Sequence, residues 1–127
     1  MSKKRKAAIK YADEQFSLYI REKERRCFTC GTTRNLQCGH LISRSFISTR
    51  WVEDNGHAQC VECNQRHEED ESIYKDMFIE EYGQEAYDNL KSRSCRPFLK
   101  TAEEIRGIGR EYKQKYEILK KRREWDE

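Results

Sequence analysis

Two Cys-x-x-Cys pairs, Cys27-Phe-Thr-Cys30 and Cys60-Val-Glu-Cys63, limit what this chain can fold into more than any other feature. Cysteines three residues apart turn both sulfurs to one side of a knuckle, and two knuckles complete a tetrahedron around zinc. The span between the pairs can hold a hairpin, so the spacing predicts structural zinc on Cys27, Cys30, Cys60 and Cys63. Two disulfides are the competing assignment. The chain opens on Met-Ser-Lys-Lys with no apolar leader to carry it out of a reducing cytosol, which favours zinc and a cytoplasmic location. Cys38 and Cys95 are left over; an isolated cysteine reads as a small buried hydrophobe, although Cys38, two residues from His40, can face the same pocket.

A metal staple suits a chain with little core. The 127 residues are 35% hydrophobic and 39% charged, enough for one domain with a modest interior. Three parts are expected within it: a basic arm and helix over 1–26, a zinc core over 27–71 and a helical region over 72–127. With 26 lysines and arginines against 23 acids the net charge is only +3, so composition alone does not announce nucleic acid. The distribution is more telling. Lys3-Lys4-Arg5-Lys6, the stretch from Arg21 to Arg26, and Lys120-Lys121-Arg122-Arg123 are basic, while Glu68 to Glu71 is acidic. Such clusters neutralise phosphates or simply form solvated helix faces. No stretch approaches the roughly 20 apolar residues of a membrane span.

Ile9, Ala12, Phe16 and Tyr19 recur at helical spacing and predict an amphipathic helix over roughly residues 7–25. Gly31 to Asn35 reads as a turn, and Leu36 to Ile42 and Trp51 to Gln59 as the two strands of an irregular hairpin. A helix follows from Val61 through Asn64 and His67; Ser72 is a candidate N-cap for the next, which stops at Tyr82-Gly83, and a short helix covers Gln84 to Lys91. After Pro97, the capping box Thr101-Ala-Glu-Glu104 starts a long helix with Ile105, Ile108, Tyr112, Tyr116 and Leu119 on one side, its tyrosines explained by packing. Gly107 and Gly109 weaken that helix by about 1 kcal/mol each.

The polar residues around the second knuckle suit phosphodiester hydrolysis, which needs an activated water, a cation on the developing charge and a group that orients the base. His40 is the candidate base, since a neutral imidazole takes a proton at neutral pH. Asn55, five residues before Cys60, is the candidate orienting group. Asn64 and His67 share a helix face and offer oxygen and nitrogen to Mg²⁺ or Mn²⁺, with Glu68 an equally reachable oxygen donor. His57, on the same face as Asn55 in a regular strand, is a candidate second base or ligand. Taken singly, each is more often a cap or a satisfied turn residue, and the acidic run beyond Glu68 is more often a solvated face.

In their order along the chain these residues resemble the NinG/Rap family of phage recombination proteins, relatives of HNH and endonuclease VII-type nucleases. The resemblance runs from about Asp13 to Lys121. It rests on Cys27-Phe-Thr-Cys30-Gly31, Gly39-His40, Arg50-Trp51, Asn55-Gly-His57-Ala-Gln59-Cys60, Cys63-Asn64-Gln65, Tyr82-Gly83-Gln84-Glu85-Ala86, the Thr101 capping box and Glu111-Tyr112. It implies an α+β fold with a zinc-stapled ββα-metal, HNH-like core and flanking helices. It also implies a metal-dependent endonuclease on branched DNA such as D-loops and Holliday junctions, working in a bacterial host cell. Lys3, Lys4, Arg5, Lys6, Arg44, Arg50, Arg66, Lys120, Lys121 and Arg122 are the candidate DNA contacts. A second copy of the chain and phage or host recombination proteins are candidate partners; no membrane is expected. Two departures stand out: HNH-type sites commonly place an acid just before the histidine, where this chain has Gln37-Cys38-Gly39, and acidic residues replace the family's Ser-Gly-Asn after the Asn64 turn. A non-catalytic zinc module binding branched DNA or a recombination partner is the alternative that the missing acid favours.

Overall fold

A computed structural model describes residues 1–126. Helix α1 spans Lys3–Glu24, starting where the Ser2 hydroxyl accepts the Arg5 amide and ending at Arg25 in the left-handed conformation. Its basic first turn thus belongs to the helix rather than to an arm. Helix α5, Ala102–Asp126, starts on the expected capping box: the Thr101 hydroxyl accepts the Glu104 amide and the Glu104 carboxylate accepts the Thr101 amide. The two helices pair in parallel, with Arg5 donating to the Lys100 carbonyl where both begin and Arg123 to Glu22 where both end. Ala8, Ala12, Phe16, Tyr19 and Ile20 of α1 bury against Ile105 and Tyr112. Gly109 lets the axes approach, since a Cβ there would lie 2.5 Å from Tyr11 Cδ2. The glycine that weakens the isolated helix is what the pair requires.

Against α1 lies an antiparallel hairpin of β1 (Leu36–His40) and β2 (Gly56–Cys60), in a register that sets Leu36 opposite Cys60 and His40 opposite Gly56. Helix α2, Val61–Glu69, follows β2 without a loop; its N-cap is Cys60, whose sulfur accepts the Cys63 amide. Both strands are shorter than the sequence suggests. Leu41 and Ile42 turn their amides to Asn55, and Trp51 to Asn55 form turns whose apolar side chains are anchors and not strand alternation.

Helix α3, Ser72–Tyr82, and α4, Gln84–Ser94, meet at Gly83, where φ is +96°. The N-cap position of α3 is Glu71, which makes no side-chain cap bond, and the Asp70 carboxylate before it takes both the amide and the hydroxyl of Ser72, so Ser72 does not itself cap. Tyr74, Phe78 and Leu90 close over Leu41 and Ile42 as a second apolar cluster; Cys27, Cys60 and Cys63 with Leu36 form the third. The core is divided among these clusters. Among the described residues no helix is long and apolar enough to cross a membrane.

Ile105 is fully buried between α1 and α5, whereas Ile118 on the same helix is half exposed. Ile105→Ala is therefore expected to lower unfolding free energy by about 2–5 kcal/mol. Ile118→Ala should stay within about 0.5 kcal/mol, both read from urea midpoints at constant m-value.

Candidate functional site

The four knuckle cysteines converge. Their sulfurs all lie within 4.8 Å of one another, and those of Cys30 and Cys60 are 3.7 Å apart. A tetrahedron with zinc–sulfur bonds of about 2.3 Å has edges of about 3.8 Å. The amides of Cys30 and Cys63 point at the sulfurs of Cys27 and Cys60, at 3.4 Å each. Burial raises the Cys27 thiol, but the surrounding backbone amides outweigh it and bring it down to about 7, whereas burial raises the thiols of Cys60 and Cys63, so a bound cation is what would hold all of them as thiolates. None of the six cysteines is in a disulfide, and these four can hold a zinc ion. Of the other two, Cys95 is exposed at the end of α4, not buried as expected. Cys38 faces the same cavity as His40, its thiol pushed up to about 12 by burial.

That cavity, of about 780 Å³, opens between α1, β1 and α2. Asp13, Ser17 and Arg21 line it as one stripe of α1 at four-residue spacing, beside the stripe that packs on α5. His40 faces it from the end of β1, Ser43 and Arg44 from the loop beyond, and Asn64, His67 and Glu68 from α2. Sequence spacing thus brought His40, Asn64, His67 and Glu68 to one place. The His40 tautomer follows from its partner: the Arg50 carbonyl, 2.8 Å from Nε2, can only accept, so Nε2 carries the proton and Nδ1 keeps its lone pair. Burial lowers the His40 pKa below the ordinary histidine value, keeping the ring neutral at pH 7.

Asn64 donates through Nδ2 to Gln37 Oε1 at 3.0 Å, which leaves its Oδ1 for a cation; Glu68 presents an exposed carboxylate. His67 fits its expected ligand role less well. Its Nε2 donates to the Leu41 carbonyl at 2.9 Å, and its Nδ1 is buried without a partner. Neither nitrogen is open to the cavity, so His67 holds the loop, and the ring has to turn before it can ligate.

Asn55 takes the orienting role through the loop and not through the imidazole. Fully buried, it accepts the Ile42 amide at 2.7 Å and donates to the carbonyls of Ile42 and Thr49 at 3.0 and 3.1 Å. It precedes β2 in a 3₁₀ turn, so the expected shared strand face with His57 does not exist. His57 is a correction. It pairs with Gly39 while His40 pairs with Gly56, and successive strand residues face opposite sides, so the two imidazoles point apart. His57 Nδ1 donates to the Tyr74 hydroxyl at 2.8 Å, and that hydroxyl donates to the Gly39 carbonyl at 2.9 Å. Burial lowers its pKa to about 4, and it serves the core beneath the hairpin, away from the cavity.

Arg50 is the other correction. Its Nε and Nη2 grip the two oxygens of Asp13 at 2.9 and 2.6 Å, and Nη1 reaches the Arg44 carbonyl at 3.3 Å. Its donors are engaged within the protein, so it is not a free phosphate contact. Arg44 remains exposed on the cavity rim, and Lys3, Lys4, Arg66, Lys121 and Arg122 are exposed elsewhere. Asp13, Ser17 and Ser43 do not stand out in the sequence as site residues, and Arg21 does so only within the basic stretch from Arg21 to Arg26. The signal that would have found Asp13, Ser17 and Arg21 is a polar row at i, i+4 and i+8 beside the apolar one on α1.

The family model described as Bacteriophage Lambda NinG protein matches residues 1–124. The chain is 36% identical over 120 residues to the protein named ninG of Escherichia phage 933W, covering 91% of this chain and 59% of that one. Escherichia phage lambda ninG gives 36% over 120 residues, 91% and 58%, and Salmonella phage P22 ninG 36% over 117 residues, 88% and 57%. The chain therefore spans less than two thirds of the length of these relatives. No solved structure matches.

Two predictions come from this geometry. Chelating zinc should abolish most of the far-UV helical signal and the melting transition, because the divided core leans on metal-coupled folding; a chelated chain that melts as before would overturn the structural role. The second concerns Glu24, which accepts the Ala58 amide at 2.6 Å and whose carboxyl burial pushes up to about 7. A folded pKa above the unfolded value of about 4.5 means that the chain loses stability as pH rises through that window. His57, depressed to about 4, acts oppositely as pH falls. Glu24→Gln removes only the first effect, so its melting temperature should gain on wild type between pH 5 and pH 8.

Proposed function

This chain belongs to the family of the bacteriophage lambda NinG protein, and from that premise we propose that it is a metal-dependent endonuclease that cuts branched DNA intermediates of phage recombination, D-loops and Holliday junctions among them. One observation carries the reading: His40, with Nδ1 unprotonated, lines the same cavity as Asn64 and Glu68, and Arg21 and Arg44 line it too. The succession of β1, β2 and α2, with cysteine pairs before β1 and across the β2–α2 junction, supports a zinc-stapled ββα-metal core of HNH type.

In the proposed reaction His40 Nδ1 takes a proton from the attacking water, while the Arg50 carbonyl holds Nε2–H and favours the imidazolium that forms. Arg21, positioned by its Nε bonds to the Ser17 carbonyl and hydroxyl, and Arg44 draw in the scissile phosphate. Bound Mg²⁺ or Mn²⁺, held by Asn64 Oδ1 and Glu68 and by His67 after its ring turns, would supply positive charge beside the phosphate as negative charge develops. Asn55 keeps the loop, and with it the Arg50 carbonyl, in place.

The N-terminal cations support a DNA partner. Lys3, Lys4, Arg5 and Lys6 crowd the first turn of α1 with no acid among them, where the helix dipole disfavours positive charge. Phosphate contact gives a reason for them that helix stability does not. Lys120, Lys121 and Arg122 lie near the other end of the α1–α5 pair, about 25 Å away by helix rise. Symmetric cutting of a junction would need two active sites, hence a second copy of the chain. The host cytoplasm and recombination proteins complete the proposed setting.

With Mg²⁺ or Mn²⁺, the protein should nick synthetic four-way and D-loop DNA faster than linear duplex of equal sequence. His40→Ala should cut about 10²- to 10⁴-fold more slowly with zinc content and DNA affinity retained. Tight binding of branched DNA without cleavage by any divalent ion would replace the enzyme with a binding module.

A further inference from the structure

Arg50-Trp51 stands out in the sequence, yet neither side chain reaches the open cavity as a DNA contact. Both instead end on one carboxylate of α1. Asp13 Oδ1 accepts from Arg50 Nε and from the Trp51 indole Nε1, each at 2.9 Å, and Oδ2 accepts from Arg50 Nη2 at 2.6 Å. The residue so held presents its main-chain carbonyl to His40 Nε2 at 2.8 Å. Behind it the Trp51 carbonyl accepts from the buried Tyr112 hydroxyl at 2.6 Å, so the segment is pinned from α1 and from α5.

We propose that Asp13 is a positioning residue for His40: by clamping Arg50 and Trp51 it fixes the Arg50 carbonyl that keeps the His40 proton on Nε2 and leaves Nδ1 as the base. This rests on the reading of His40 as the base. Asp13 lines the cavity, and both of its oxygens accept from protein donors of the loop, so it reaches the imidazole through that loop. The bidentate Arg–carboxylate geometry makes the clamp directional, as a lysine or an amide in either place would not. It gives α1 a part in the site that the missing acid before His40 leaves open: a carboxylate that serves the base arrives 27 residues earlier in the chain, on a different element.

Histidine side-chain ¹⁵N NMR reads the ring directly and does not depend on cleavage. In the zinc-loaded full chain, His40, assigned by its loss in His40→Ala, should show protonated Nε2 and unprotonated Nδ1. Asp13→Asn and, independently, Arg50→Lys should move both nitrogens towards averaged tautomer values with zinc content unchanged. On branched DNA both variants should lower kcat at least tenfold, up to the roughly 10²- to 10⁴-fold of the base itself, with KM nearly unchanged. Unchanged His40 shifts in both variants would overturn the proposal, as would altered shifts with wild-type kcat. A wild-type protein that cuts nothing would remove the nuclease reading, and the ring spectra would still decide whether Asp13 sets the His40 tautomer.

Discussion

Four sulfurs gathered within 4.8 Å are the constraint on which the rest of this small structure depends. They join the segment leaving α1 to the junction of β2 and α2, and these are the parts that frame the cavity. Without that junction the hairpin is two five-residue strands, too little to stand alone in water. The apolar clusters do not substitute for it. One binds α1 to α5, another binds α3 and α4 to the loop after β1, and the thiols with Leu36 lie between. Closing a loop of some thirty residues removes unfolded-state entropy that these separate clusters are poorly placed to offset.

A second constraint acts within the first. The segment from Leu41 to Asn55 has almost no regular structure, yet it is held from fixed points: the Asn55 side-chain amide and the Tyr112 hydroxyl bond its backbone, and the Asp13 carboxylate holds its Arg50 and Trp51 side chains. A buried asparagine with three good bonds is costly to replace, because truncation strands the Ile42 amide and the Ile42 carbonyl away from water, while the Thr49 carbonyl keeps only the Val52 amide. Loop geometry then becomes site geometry, since the Arg50 carbonyl decides which nitrogen of His40 is basic.

What could be read in the sequence had a local signature. Cysteine spacing located the four sulfurs that can hold a metal ion, capping residues and helical periodicity located α1, α2 and α5, and the i, i+3, i+4 spacing of Asn64, His67 and Glu68 put them on one wall. What could not be read depended on partners far along the chain. Trp51 and Val52 look like strand residues because burial favours the same side chains in an anchored loop as in a sheet. Arg50 looks like a phosphate contact because nothing nearby reveals that Asp13 takes it. His40 and His57 look equivalent until the hairpin register is known, and a shift of one position decides which faces the cavity.

The absent acid before His40 has a steric reason. A Cβ on Gly39 would lie 2.7 Å from Gln59 Cδ and overlap its Oε1, and Gln59 is buried, tied through Nε2 to Thr29 at 2.9 Å. The hairpin face that would carry an aspartate is filled, by Gln59 and by His57 with its aromatic neighbours. On the proposed reading the cation is therefore gripped from α2 alone, by few protein oxygens. Magnesium tolerates such a site, since it keeps several waters and completes its octahedron with substrate phosphate. On that reading the centre would be whole only with DNA present, and substrate selection and metal binding would be a single event at the mouth of the cavity.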